Sequence, residues 1–139
     1  MPDLDYNATM ADTDPRPVVL IVEIDPPTSD LYVRELGHHF TVLACANAAE
    51  ALRVLAQQPL HAIVLEPVGL GAQGWNLPRA ARDCPLNCRT PFVVCSSLDD
   101  RKTGMDRGAA VYLVKPVLPA TLISVLRHLE RVKQPTEIE

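Results

Sequence analysis

The chain has 139 residues, of which 47% are hydrophobic and only 4% aromatic, and its formal net charge is -4. This length suits one domain that buries its own core without disulfides or structural metals, and the apolar composition excludes a disordered chain. The acidic balance argues against direct binding to nucleic acid. No apolar run is long enough to span a membrane, and the acidic start lacks the features of a secretion signal, so we expect a cytoplasmic protein.

The sequence predicts one domain between two tails. Residues 1–16 are acidic, rich in proline and without periodicity, which predicts a flexible N-terminal tail. The domain is predicted at residues 17–133, and residues 134–139 are predicted to be a short C-terminal tail. No internal repeat or second domain is found.

Strand and helix patterns alternate five times along the domain. The predicted strands are, in chain order, 18–22, 40–45, 62–65, 92–95 and 109–114. Helices are predicted after each of them, at about 28–37, from 47 to before 59, at 74–83, 99–107 and 119–132. Thr28 or Ser29 is the predicted cap of the first helix, and Asn47 with Glu50 forms a capping-box pattern for the second.

Continuous apolar strands are typical of a parallel sheet whose two faces are both covered. Ala62 to Leu65, for example, has no polar alternation. The repeated strand and helix order therefore predicts an α/β fold, with a doubly wound five-stranded parallel sheet and helices on both faces.

Polar side chains follow four of the strands, namely Glu23, Glu66, Ser96 and Lys115. The carboxyl ends of parallel strands meet at one edge, where ligands bind in such sheets, so we expect these side chains to lie together. Such a group can bind a divalent cation, hold a phosphoryl group or form ion pairs among its members. The spacing of these residues alone favours ion pairs, but it excludes neither the binding of a divalent cation nor that of a phosphoryl group.

Five segments in register make this domain resemble the receiver domain of bacterial two-component response regulators: LIVEIDPP, CANAAEAL, IVLEP, PFVVCSS and GAAVYLVKP. The resemblance implies a flavodoxin-like fold and a signalling function. It places Glu66 at the family's phosphate-accepting aspartate, Ser96 at its hydroxyl after strand four and Tyr112 at its switching aromatic. Lys115 corresponds to the family's invariant lysine, and the peptide that follows it is expected to be cis.

The first departure from the family pattern concerns the metal. Family members carry paired acids after strand one that hold magnesium, whereas this sequence has Glu23 and Ile24. An aliphatic side chain offers no oxygen to a hard cation. Asp25 follows the pair and is expected to point elsewhere, so the metal site is degenerate. We expect weak or absent Mg²⁺ binding and no other cofactor.

The second departure is the acceptor itself. The carboxylate of Glu66 extends roughly 1.5 Å farther than that of aspartate, and in-line phosphoryl transfer depends on positioning of this order. Two interpretations stay open. The carboxylate lies where a phosphoryl oxygen normally sits, within reach of Lys115 and Ser96, and so imitates an activated receiver imperfectly, or it forms an ordinary structural ion pair.

Two further features bear on the surface. The segment between Ser96 and Lys115 is about one helical turn shorter than is usual in the family, so the face through which members dimerise or pass on the signal is expected to be nonstandard. Trp75, the single tryptophan, either packs in the core, which is the preferred interpretation, or anchors a partner. The nearby Gly69, Gly71 and Gly74 match no nucleotide-binding pattern, and the loop at 69–74 is predicted to be a turn.

The preferred hypothesis is a non-enzymatic receiver domain that works without phosphorylation and acts by contact with a protein partner, which is a kinase, an output domain or another signalling protein. The alternative is a receiver that takes phosphate from a histidine kinase through a nonstandard site. A redox or ligand sensor on the same fold is the third hypothesis. A homodimer is compatible with the family, although no feature of the sequence indicates one, and contact with nucleic acid or a membrane is not expected.

Overall fold

A computed structural model describes the backbone of residues 16–138 and the side chains of residues 16–129. Its strands are β1 (Val18–Val22), β2 (Thr41–Cys45), β3 (Ala62–Leu65), β4 (Phe92–Ser96) and β5 (Val111–Val114). Its helices are α1 (Pro26–Leu36), α2 (Ala48–Gln57), α3 (Ala72–Arg82), α4 (Arg101–Asp106) and α5 (Pro119–Ile138). Apart from Arg16, the predicted N-terminal tail lies outside the described residues.

The five strands form one parallel sheet in the order β2-β1-β3-β4-β5. Alternate residues of each strand face opposite layers, because side chains in a strand point up and down in turn. Ile21 and Val64 pack with α1 and α5 on one face, and Leu20 and Ile63 pack with α2 and α3 on the other. The predicted doubly wound α/β fold is confirmed.

The start of α1 differs from the prediction. Asp25, and neither Thr28 nor Ser29, is the N-cap, and its side chain accepts a hydrogen bond of 3.2 Å from the Thr28 N–H. Pro26 and Pro27 occupy the first helical positions, where a missing N–H leaves no hydrogen bond unmade. The prolines thus begin the helix, which moves the cap three or four residues towards the N-terminus.

The cap of α2 is the predicted one. The Asn47 side chain accepts a hydrogen bond of 2.8 Å from the Glu50 N–H. The Glu50 carboxylate returns to the Ala46 N–H at 3.3 Å, one residue before the cap, so the reciprocal half of the capping box is displaced. Asn47 therefore fixes the direction in which the chain leaves β2.

The last two helices differ in length. The fourth helix is short, as predicted, and covers only Arg101–Asp106. The fifth was predicted to end near residue 132 but continues to Ile138, so the backbone of 134–138, predicted as a frayed tail, is helical. Within the part of the chain that the structure describes, no helix has the length and apolarity needed to cross a membrane.

Candidate functional site

The ends of β1 and β3 bring two carboxylates together. Val22 and Leu65 are register partners, and the Glu66 N–H donates to the Val22 carbonyl at 3.0 Å. The next residues, Glu23 and Glu66, therefore leave the sheet side by side. Both are buried, with 4% of each residue exposed, although carboxylates seldom lie in a protein interior without charged partners.

Lys115 provides the positive charge. The end of β5 lies beside the end of β4, and the Lys115 N–H donates to the Ser96 carbonyl at 2.7 Å. The Lys115 ammonium lies 2.6 Å from Glu23 Oε1 and 3.4 Å from Glu66 Oε1. The peptide between Lys115 and Pro116 is cis, as the resemblance implies. One ammonium thus faces two buried carboxylates.

The carboxylate of Glu66 also joins two loops. Its Oε1 accepts a hydrogen bond of 2.9 Å from the Ser97 N–H, in the loop after β4. Its Oε2 accepts one of 3.2 Å from the Val68 N–H, in the loop after β3. Both oxygens are therefore engaged by fixed donors, and hydrogen bonds to an ionised acceptor are about twice as strong as neutral ones.

Glu23 and Asp25 have separate partners. Glu23 Oε1 accepts from Lys115, and Glu23 Oε2 accepts a hydrogen bond of 3.1 Å from the Asp25 N–H. The side chain of Asp25 accepts from both the hydroxyl and the N–H of Thr28 at the start of α1. Hydrogen bonds from the Thr28 hydroxyl and N–H lower the pKa of the Asp25 carboxyl from its ordinary 3.8. Asp25 points into the helix cap and away from the other acids, as expected.

The electrostatics favour a charged Lys115. Burial lowers the pKa of the Lys115 ammonium, but the hydrogen bond and charge of Glu23, together with the charge of Glu66, outweigh that effect, so the pKa is raised above its ordinary 10.5. Desolvation disfavours a charge, and nearby opposite charges favour it. Lys115 therefore keeps its proton at neutral pH and neutralises part of the charge of the two acids.

The Ser96 hydroxyl makes a different contact from the one expected with Glu66, and its role as a switch residue stays a prediction. Ser96 is fully buried, and its hydroxyl accepts a hydrogen bond of 3.1 Å from the Leu98 N–H. The hydrogen bonds within residues 16–129 do not include one between Ser96 and Glu66. The backbone of the next residue, Ser97, contacts the carboxylate instead, and sequence patterns carry no signal for a backbone donor of this kind.

Tyr112 connects β5 to the same loop. It is 8% exposed, and its hydroxyl donates to the Leu98 carbonyl at 2.7 Å and accepts from the Asp100 N–H at 3.1 Å. Its ring lies against Gly104 of α4, where an added Cβ atom would be only 2.3 Å from Tyr112 Cδ2. The position of Tyr112 thus depends on a glycine in the fourth helix.

Ile24 occupies the mouth of the site. It is 46% exposed, and its side chain packs over Gly69, so that a Cβ atom at Gly69 would be 3.0 Å from Ile24 Cγ2. Gly69 and Gly71 have φ angles of +93° and +71°, which confirms their prediction as turn residues. An aliphatic side chain therefore covers the loop that follows the acceptor position.

These residues do not fit a magnesium ion. Such an ion takes six oxygen ligands and needs carboxylates that are free to coordinate it. Here the oxygens of Glu23 and Glu66 already accept from protein donors, Ile24 has no oxygen, and Asp25 caps α1. A search of residues 16–129 finds no group of three or more His, Cys, Asp or Glu side chains placed to hold a metal.

Trp75 lies beside this network. It is partly buried against the cluster formed by Val94, Ala109 and Tyr112. An added Cβ atom at Gly104 would be 3.5 Å from Trp75 Cη2. Trp75 also lines a cavity between α3 and α4. The structure therefore places Trp75 partly in the core, and its interpretation as the anchor of a partner stays a prediction.

Comparisons with known proteins agree with the fold and the motifs. The chain is 35% identical over 123 residues to the transcriptional regulatory protein PrrA of Mycobacterium tuberculosis, a match that covers 83% of this chain and 50% of PrrA. It superposes on a CheY-like receiver domain protein from Methanospirillum hungatei with a TM-score of 0.76, covering 86% of this chain and 98% of that one at 20% identity. At 20% identity, this superposition shows only that the two proteins share a fold.

A third similarity concerns a structure with a metal. The receiver domain of the sensor histidine kinase PA1611 of Pseudomonas aeruginosa, which holds a magnesium ion in its active-site cleft, is 26% identical, with a TM-score of 0.70 and coverage of 82% and 97% of the two chains. No protein-family model matches the chain. The chain spans half or less of the length of the curated relatives described, which carry further sequence outside the shared region.

Proposed function

Because this chain carries a response regulator receiver domain, we propose that it is a signalling module that works without phosphorylation. It acts by contact with a protein partner and catalyses no reaction of its own. Similarity to the regulators described above supports the signalling role, and the geometry around Glu66 supports the independence from phosphate.

The main support for this proposal is that both carboxylate oxygens of Glu66 already accept hydrogen bonds from the protein. A phosphate acceptor must direct a free oxygen at the phosphorus in line with the leaving group. In Glu66 one oxygen faces the Ser97 N–H and lies 3.4 Å from Lys115, and the other faces the Val68 N–H. An attack on phosphorus would require these contacts to break first, in addition to the displacement caused by the longer side chain.

The missing metal ligand supports the same conclusion. A divalent cation neutralises charge on the transferred phosphoryl group, and catalysis of this transfer is largely positioning and electrostatic stabilisation. The receiver domain of PA1611 holds magnesium in its cleft. In this chain Ile24 supplies no oxygen and Glu23 is bound to Lys115, so we propose that magnesium binds weakly or not at all.

We further propose that Glu66 imitates the activated state of a receiver domain and does more than form an ordinary ion pair with Lys115. An ion pair with Lys115 needs no contact with the loops, yet Glu66 accepts from the Ser97 N–H as well. The chain continues from Ser97 to Leu98, whose carbonyl accepts from the Tyr112 hydroxyl. The carboxylate of Glu66 therefore holds the same loop that positions Tyr112, which corresponds to the family's switching aromatic.

For the partner we propose only the class of protein to which it belongs. A kinase, an output domain or another signalling protein in the cytoplasm suits a receiver domain that matches only half of the length of its curated relatives. A homodimer would suit the family as well. The short α4 changes the face formed with β5 and α5, so we expect this partner to differ from those of receivers with a full fourth helix.

A magnesium titration tests the proposal. Trp75 is the single tryptophan, and it packs against Tyr112, so its fluorescence reports on changes in the site. We expect no change up to millimolar Mg²⁺ in the wild type. An Ile24→Asp variant, which restores an acid, provides the matched comparison. A saturable change in the wild type would contradict the proposal, whereas a change in the variant alone would support it.

A further inference from the structure

The cavity between α3 and α4 carries an unusual set of charges. It has a volume of about 620 Å³ and is lined by side chains from both helices and the residues that follow them. The lining includes three arginines, Arg79, Arg82 and Arg107, together with Trp75. The proposed signalling function uses none of the three arginines, and the cavity lies outside the cluster of Glu23, Glu66 and Lys115.

Among the described side chains, no acidic group lies within ion-pair distance of the three arginines. Within residues 16–129, no side-chain hydrogen bond or ion pair is formed by Arg79, Arg82 or Arg107, and all three are exposed. A guanidinium group presents five N–H donors in a planar fork that matches phosphate and carboxylate oxygens. The cavity therefore holds unused donors for an anion.

Arg82 reaches from the end of α3 to the turn that follows α4. Its guanidinium lies over Gly108, where an added Cβ atom would be 1.9 Å from Arg82 Nη2. Gly108 has a φ angle of +99°, a conformation that favours glycine. The turn after α4 thus leaves the space that the guanidinium fills, which limits the freedom that Arg82 would lose on binding a ligand.

The remaining lining residues narrow the class of ligand. Asp83 and Asp106 also face the cavity, so its charged side chains sum to one positive charge from three arginines and two aspartates. A polyanion such as nucleic acid fits this balance poorly, and the whole chain is acidic. A small ligand that combines an anionic group with N–H or O–H donors would satisfy both the arginines and the aspartates.

Trp75 adds an aromatic surface to the same wall. Aromatic side chains provide stacking surfaces for planar bases, as they do in single-stranded nucleic acid complexes. A volume of about 620 Å³ lies within the usual range of small-molecule sites. We propose that the α3–α4 cavity binds a small phosphorylated ligand of the nucleotide class, with the phosphate on the arginines and the base against Trp75.

Isothermal titration calorimetry of the full chain with ADP, and separately with inorganic pyrophosphate, tests this site. We expect saturable binding of ADP that is at least tenfold tighter than that of pyrophosphate, because only ADP offers a base to Trp75. Arg82→Ala and Arg107→Ala are each expected to weaken ADP binding by about tenfold, the loss of one charge-assisted contact. Arg82→Lys should recover only part of the loss, since lysine has no planar fork.

The control is Arg53→Ala, which removes the same charge from an exposed position on α2 away from the cavity. Its affinity for ADP should match that of the wild type within twofold. No saturable heat with ADP would overturn the proposal, as would an equal loss in Arg53→Ala and Arg82→Ala. Pyrophosphate that binds as tightly as ADP would overturn the assignment to nucleotides. Thermal melts of each variant establish that a lost affinity does not reflect unfolding.

Discussion

The Lys115 ammonium lies closer to Glu23, at 2.6 Å, than to the acceptor-position Glu66, at 3.4 Å. Lys115 thus makes its direct hydrogen bond to the acid at the end of β1 and shares only its charge with Glu66. In this arrangement Glu23 is bound to Lys115 and is therefore not available to coordinate a metal. Among the side chains of residues 16–129, Lys115 is the one cation paired with these two buried carboxylates.

Replacing Lys115 is expected to destabilise the fold. Lys115→Met should lower the free energy of unfolding by about 3–5 kcal/mol, because it leaves Glu23 and Glu66 buried without their cation. Lys102→Met, at an exposed position of α4, is the control and should change it by less than about 0.5 kcal/mol. Urea unfolding measures both. Equal stability of the two variants would contradict the ion-pair role of Lys115.

The stabilisation by Lys115 should also depend on pH. Its pKa in the folded state lies above the ordinary 10.5, so the stabilisation is complete below about pH 10.5 and is lost as the pH rises through the folded-state pKa. The difference in unfolding free energy between the wild type and Lys115→Met should therefore be constant from pH 7 to 9 and shrink above pH 10.5. A difference that grows at alkaline pH would contradict the direction of the shift.

The contact between Glu66 and Ser97 should be visible in hydrogen exchange. In a Glu66→Leu variant the Ser97 N–H loses its acceptor, and its exchange should be about tenfold faster, since a hydrogen bond to a charged group contributes roughly 1.5–3 kcal/mol. The N–H of Val64, in the middle of β3, serves as the internal control and should be unaffected. Unchanged exchange at Ser97 would mean that the loop after β4 does not depend on Glu66.

Gly104 should be required for the packing of Tyr112. Alanine favours a helix by about 1 kcal/mol over glycine, yet its Cβ atom would be 2.3 Å from the Tyr112 ring. Gly104→Ala is therefore expected to destabilise the protein by about 1–3 kcal/mol, the usual cost of overpacking. In a Tyr112→Leu background the same change should cost less, which a double-mutant cycle measures. Additive effects would exclude direct contact as the cause.

The sequence predicted the sheet well because each strand is marked by its own residues. Apolar runs such as Ala62–Leu65 identify buried strands without knowledge of their neighbours. The cap of α1 was missed because Thr28 and Ser29 are good N-cap residues as well, whereas the prolines at positions 26 and 27 fit the first turn of a helix that begins after Asp25. The length of α5 was missed because its apolar stripe stops before the backbone helix does.

The sequence predicted which residues form the site, but it did not predict all of the hydrogen bonds that they make. The ends of parallel strands place Glu23, Glu66 and Lys115 together, and this grouping was predicted. The donors of Ser97 and Val68 were not, since every residue but proline has an N–H and only the fold decides which one meets a carboxylate. For the same reason the contact between Gly104 and Tyr112 could not be predicted from the sequence.

Intact mass after incubation with acetyl phosphate and Mg²⁺ tests the central claim most directly. The wild type is measured beside Glu66→Asp and the double variant Glu66→Asp/Ile24→Asp, which restore the acceptor and then the metal ligand. We predict no phosphoryl adduct on the wild type and an adduct on the double variant. A phosphoryl adduct on the wild type, lost in Glu66→Ala, would contradict a receiver that works without phosphorylation.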